Sequence, residues 1–149
     1  MLAQTCGLPF RQILHDKVHY AATPDYGIEG CPPGYYKNIF VSGKEQSLGS
    51  SARGIFAFNE AHSQLGWAGP IDAREKLALT PKRFFKTGSH LNSAKAMSQA
   101  HAVSAALDTH SWSIILQYNV FAKHLVMIGQ TDPIPDLPDI FSKKHSPNL

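Results

Sequence analysis

The chain is poor in charge and poorer in cysteine. Of its 149 residues, 17% are Asp, Glu, Lys or Arg, and two are cysteines. Charge this sparse leaves the surface to Ser, Thr, Asn, Gln and His rather than to a lattice of ion pairs. The 14 Lys and Arg stand against 11 Asp and Glu, a net charge of +3. The cations are scattered, and no basic stripe suggests nucleic acid. Long apolar runs are missing too. The longest candidate, "SIILQYNVF", is broken by Gln117 and Asn119 and falls short of the roughly 18 residues of a membrane span. The opening "MLAQTCGLPF" has neither the basic start nor the apolar stretch of a signal peptide. There is no G-x-S-x-G elbow, no H-E-x-x-H, no Walker lysine loop and no G-x-G-x-x-G. Eight histidines follow no metal-ligand spacing, and His15 and His19 straddle a helix-to-strand change. Cys6 and Cys31, both in Gly- and Pro-rich sequence, are compatible with a disulfide, two free thiols or half a metal site.

What is present describes one globular α/β domain. Hydrophobic residues make up 43% of the chain, and a chain of this length buries about 70% of its unfolded surface. The first third, residues 1–43, reads as strands in "KVHYAATPDY" and "YYKNIFVSG" around a turn in "GIEGCPPG". From residue 44 to 131 strand and helix alternate. "GIFAFN", "KRFFKT", "VSAALD" and "HLVMIGQT" are short strand runs, and "SQLGWAGPIDAREKLAL", "SHLNSAKAMSQAH" and "THSWSIILQYNVFA" are the helices between them. This spacing predicts a mostly parallel sheet with crossover helices. The tail, 132–149, is Pro-rich and is expected to be extended and irregular.

Three strand-to-helix junctions carry polar residues: Asn59 to Ser63, Thr87 to His90, and Asp108 to Ser111. In an open parallel sheet these lie at the carboxyl ends of the strands, where such folds bind ligands. Each is also a helix start with unpaired N–H groups and about half a positive charge. Ser63, Ser89 and Asp108 are ordinary helix caps on one reading, with Gly88 easing a tight turn. On the other, several helix starts aimed at one point form an anion cradle, to which Thr87, Ser89 and His90 add donors. The two readings use the same geometry and do not exclude each other.

"QTCGLPF", "ATPDYGIEGCPPGYYKNIFV", "FNEAHSQLGW", "TGSHLNSAKAM" and "AALDTHSW", in this order, resemble the phosphate/phosphite/phosphonate substrate-binding proteins of ABC transporters. The resemblance runs from about Ala3 to Ile140. It implies a periplasmic-binding-protein-like (type II) lobe, with 1–43 a remnant of a first lobe and its hinge strands, 44–131 the second lobe, and the first lobe largely missing. It further implies a non-catalytic binder of phosphonate, phosphate or phosphite, without a cofactor, working in the periplasm with a transporter permease. Carried over by position, Thr5 with the following Cys6-Gly7 belongs to a ligand-facing loop. Ser63 and Gln64 offer a hydroxyl and an amide, and Thr87, Ser89 and His90 grip the oxyanion. Asp108 faces the ligand's other end, as acceptor for an amino group, and Tyr36 lines the cleft. A Cys6–Cys31 bridge suits the loop context. The chain departs from the family at Leu65, where a small hydroxyl residue is common, at Val103, where an Asp often stands, and at Ala100, which replaces a frequent Gly. Two other readings compete: a lobe that no longer binds and survives as a gene fragment or interaction domain, and a small enzyme using Cys6 or His90.

Overall fold

A computed structural model describes residues 2–43, 47–51, 53–76 and 79–143. Ten strands are present among them: β1 (Leu2–Gln4), β2 (Val18–Ala22), β3 (Tyr35–Tyr36), β4 (Asn38–Gly43), β5 (Ile55–Phe58), β6 (Arg83–Lys86), β7 (Ser104–Asp108), β8 (Leu125–Gln130), β9 (Ile134–Pro135) and β10 (Asp139–Ser142). The helices are α1 (Gly7–Pro9), α2 (Leu48–Ser51), α3 (Gly69–Lys76), α4 (His90–Ser98) and α5 (Thr109–Tyr118). Wider π-turns cover Phe10–Leu14 and Gln64–Ala68, and a 3₁₀ turn covers Val120–His124.

The central sheet has the order β6-β5-β7-β4-β8. β5 pairs in parallel with both β6 and β7, while β4 runs antiparallel to β7 and β8 on either side of it. Four of the five strands therefore share one direction, with β4 reversed between them. This is the mostly parallel sheet expected from the alternation, with "YYKNIFVSG" drawn into its middle.

Both faces of this sheet are covered, and strict period-two alternation sorts the side chains. Ile39, Val41, Ala57, Ala105 and Leu107 face one cluster, with Ala94 and Met97 of α4 and Trp112 and Ile115 of α5. Phe40, Phe56, Phe58 and Ala106 face the other, against Trp67, Ala73 and Leu48. Arg74 of α3 enters this second cluster at 1% exposure, its guanidinium 4.7 Å from the Phe56 ring centre. The run "NIFVSG" is buried from Asn38 to Ser42 because neither face meets water.

Several elements depart from the sequence reading. The helix expected over 63–79 begins as the π-turn, with Ala68 N donating to Ser63 O at 3.0 Å. Pro70 has no N–H to continue an α ladder through that point. Leu77 and Ala78, which the same expectation includes, lie outside the described residues. The helix expected over 109–122 ends at Tyr118, where Asn119 turns extended (φ −125°, ψ 112°) and starts the 3₁₀ turn. Residues 132–143 of the tail are extended but not irregular: β9 pairs with β3, and β10 sits between β1 and β2 in a second, antiparallel sheet, while 144–149 lie outside the described residues. Pro133 and Pro138 flank these strands and Pro135 sits in the two-residue β9, where few ladder bonds are lost.

Candidate functional site

All three polar junctions are capped helix starts. Ser63 Oγ accepts from Gly66 N at 2.9 Å, Ser89 Oγ from Asn92 N at 3.1 Å, and Asp108 Oδ1 from Ser111 N at 2.7 Å. A serine cap accepts with its oxygen and keeps its own O–H to donate. Thr87 is different. Its Oγ1 lies 2.9 Å from Phe58 O, 3.1 Å from Ser89 O and 2.7 Å from Ser93 Oγ, so its one proton is already used inside the turn. Gly88 supplies the turn itself, at φ 85°, a left-handed conformation that favours glycine.

One side chain ties the three junctions together. His90, the first residue of α4, places Nε2 3.4 Å from Asp108 Oδ2 and 3.4 Å from Asn59 Nδ2 at the end of β5. That single atom can accept from Asn59 when the ring is neutral or donate to Asp108 when it is protonated. Burial lowers the His90 pKa below the ordinary 6.5, and the Asp108 charge pulls the other way. Asn59 in turn rests against Gly66, where any Cβ would collide with its carboxamide.

Beside Asp108 opens a cleft of about 260 Å³, walled by Gln4, Tyr26, Tyr36, His110, Ser111 and Asp136, with Leu65 at its edge. Tyr36 and Asp136 are each 4% exposed, and the Tyr36 hydroxyl and Asp136 Oδ2 have no hydrogen-bond partner among the described residues. Burial, then the neighbouring Cys6, Asp136 and Asp108, push the Tyr36 phenol far up, so it is a fixed O–H donor at neutral pH. Asp136 is also raised, by burial first and against the bond from Leu137 N. These two groups can offer a ligand one donor and one acceptor.

The Thr5-Cys6-Gly7 segment borders the same region. Thr5 N donates to Pro138 O at 3.1 Å, which fixes the loop to the tail. Arg11 Nη2 donates to Gln64 Oε1 at 2.6 Å, bridging the first third of the chain to the π-turn. A Cβ on Gly7 would sit 3.5 Å from that same Gln64 oxygen. The Cys6 thiol is raised by burial and by Asp108, opposed by the Gln64 backbone. A nucleophilic thiolate needs the opposite shift. The bridge weighed for Cys6 and Cys31 is not formed, and both are free thiols.

Of the residues singled out from sequence, His90 and Asp108 are in direct contact, and Tyr36 and Asp108 line one cleft. Thr5 and Gln64 stand on the adjoining loop and turn. Ser63 and Ser89 sit at the helix starts, and Thr87 faces inward. Sequence reasoning missed Asn59, Arg11 and Asp136 as members of the site. Asn59 belongs to a junction already marked as polar, but Arg11 and Asp136 come from segments that read as loop and tail. Among the described residues no group of three His, Cys, Asp or Glu is arranged to hold a metal, and no helix is long and apolar enough to cross a membrane.

No protein-family model matches the chain, and no curated protein sequence matches it. Solved structures do. XAC2383 from Xanthomonas citri, bound to ATP, aligns at TM-score 0.75 and 16% identity over 97% of this chain and 57% of its own. PhnD1 from Prochlorococcus marinus, in complex with methylphosphonate, aligns at 0.68 and 18% over 73% of this chain and 46% of its own. A binding protein component of an ABC phosphonate transporter from Pseudomonas aeruginosa aligns at 0.62 and 20%, over 76% and 41%. The chain thus has the fold of the periplasmic binding proteins, and ABC-transporter binding proteins, phosphonate binders among them, are its structural neighbours. It spans about half the length of these neighbours.

Proposed function

We propose that the chain is the solute-binding component of an ABC transporter, or one portion of it, and that its ligand is a small oxyanion: a phosphonate, phosphate or phosphite. The observation that carries this reading is the His90 triangle, which gathers the carboxyl end of β5 and the starts of α4 and α5 at one place. Helix starts in register offer main-chain N–H groups and positive dipole ends to an anion. Ser63, Ser89 and Tyr36 add hydroxyl donors, and Thr87 holds the turn that presents them. Micromolar affinity is about 8 kcal/mol, and a hydrogen bond to a charged group contributes about 1.5–3. Three to five such donors are therefore enough, and catalysis is not called for. Asp108 and Asp136 line the cleft beside this triangle and suit an amino or hydroxyl group on the ligand.

In this reading the segment before β4, with the tail, forms one wall and residues 44–131 the other. A permease is the downstream partner, and the periplasm is the place of work. Calorimetric titration with methylphosphonate and with inorganic phosphate tests the assignment. Binding to at least one is expected, with Ser89→Ala weakened about tenfold by the loss of one charge-assisted bond. A Ser89→Ala chain that stays folded and binds as well as the parent would remove this junction from the site.

A further inference from the structure

We propose that the outer edge of β6 is a docking site for an acidic, extended segment of another protein, which adds to the central sheet as a sixth strand. β6 pairs with β5 and, among the described residues, with no strand on its other side. All four of its residues are exposed, Phe84 at 44% and Phe85 at 40%. An open edge flanked by large apolar side chains is a template for strand addition. Phe84 turns to one face of the sheet, its ring 4.9 Å from the Trp67 ring centre. Phe85 turns to the other, where it lines two adjoining hollows of about 190 and 260 Å³ against Ile55, His101 and α4.

Charge decides the occupant. The residues lining these hollows include Arg83, Lys86, Lys95 and His101 and no carboxylate. Lys86 is held by Glu60 at 2.7 Å, but Arg83 and Lys95 make no ion pair among the described residues. Such an edge attracts an acidic strand. It repels a second copy of itself: antiparallel pairing centred between Phe84 and Phe85 would set Arg83 opposite Lys86 of the second copy, like charges across a ladder. A fitting segment alternates, with carboxylates toward Arg83, Lys95 and His101 and apolar side chains toward Phe84 and Trp67.

A fluorescein-labelled hexapeptide of alternating glutamate and valine, titrated into the full chain and followed by anisotropy, tests this. Binding in the micromolar range is expected, weakened at least about tenfold when lysine replaces glutamate or when proline replaces the central valine, since proline removes a ladder donor. The double substitution Arg83→Glu with Lys95→Glu is expected to cost about tenfold, with the melting temperature preserved because both side chains are exposed. Amide exchange in the parent chain gives a second readout, with slowing confined to residues 83–86 on adding the glutamate peptide. No binding up to roughly 1 mM, indifference to proline or to charge, or self-association of the chain through β6 seen by sedimentation would each overturn the proposal.

Discussion

His90 shows how one side chain serves both fold and site. Its ring is 16% exposed, caught between Asn59 and Asp108. The lowered pKa means that the folded chain holds this proton less tightly than the unfolded one. The stability His90 contributes is therefore complete above the ordinary value of 6.5 and is lost as pH falls through the lowered one. His90→Gln keeps an amide near Asn59 but cannot take up a proton. Between about pH 7.5 and pH 5 the melting temperature of the parent should fall by more than that of His90→Gln. Parallel curves for the two chains would mean that His90 stays uncharged or free throughout. None of this was visible in "TGSHLNS", which announces a cap and a histidine but not the Asp108 carboxylate, set eighteen residues away by the fold.

At the level of elements, caps were the most legible feature and breaks the least. Ser63, Ser89 and Asp108 each stand where a polar residue precedes an apolar-periodic run, and each caps the helix start that follows. The Gln64–Ala68 π-turn and the break at Asn119 depend on bond patterns that hydrophobic periodicity does not encode. Helix α4 closes with a Schellman motif, Ala100 N donating to Met97 O at 3.0 Å and His101 N to Ala96 O at 2.8 Å. The pivotal residue is Ala100, at φ 59°, in the conformation that glycine fills without strain. Ala100→Gly should therefore stabilise the chain by about 1 kcal/mol after the added freedom of the unfolded state is subtracted. Calorimetry would show this as a rise of about 2–4 °C. An unchanged or lowered transition would mean that the turn holds Ala100 at no cost.

Across the whole molecule, the sheet direction followed from the alternation of strand and helix, while its order did not. β4 reads as an isolated apolar strand in the first third, yet it pairs with β7 and β8, from Asn38↔Asp108 to Gly43↔Leu125. Long-range pairing of this kind leaves no local signal. The tail failed for a similar reason: Pro-rich sequence looks unpaired until β1 and β2 supply an edge on each side of β10. Asp136 reaches the cleft next to the β3–β9 pair, and Arg11 is held beside it by Gln64. The competing readings differ at this scale. A small thiol enzyme fits poorly with a Cys6 held protonated by burial, and a lobe that no longer binds would leave the Tyr36 donor without a use.

The most direct test is an amide NMR titration of the full chain with methylphosphonate. An oxyanion cradle predicts saturable shifts concentrated at residues 63–66, 89–92 and 108–111, with the Ser89 and His90 amides moving furthest. No shift at roughly 10 mM ligand, well beyond the micromolar range expected, or shifts centred on other elements, would contradict it.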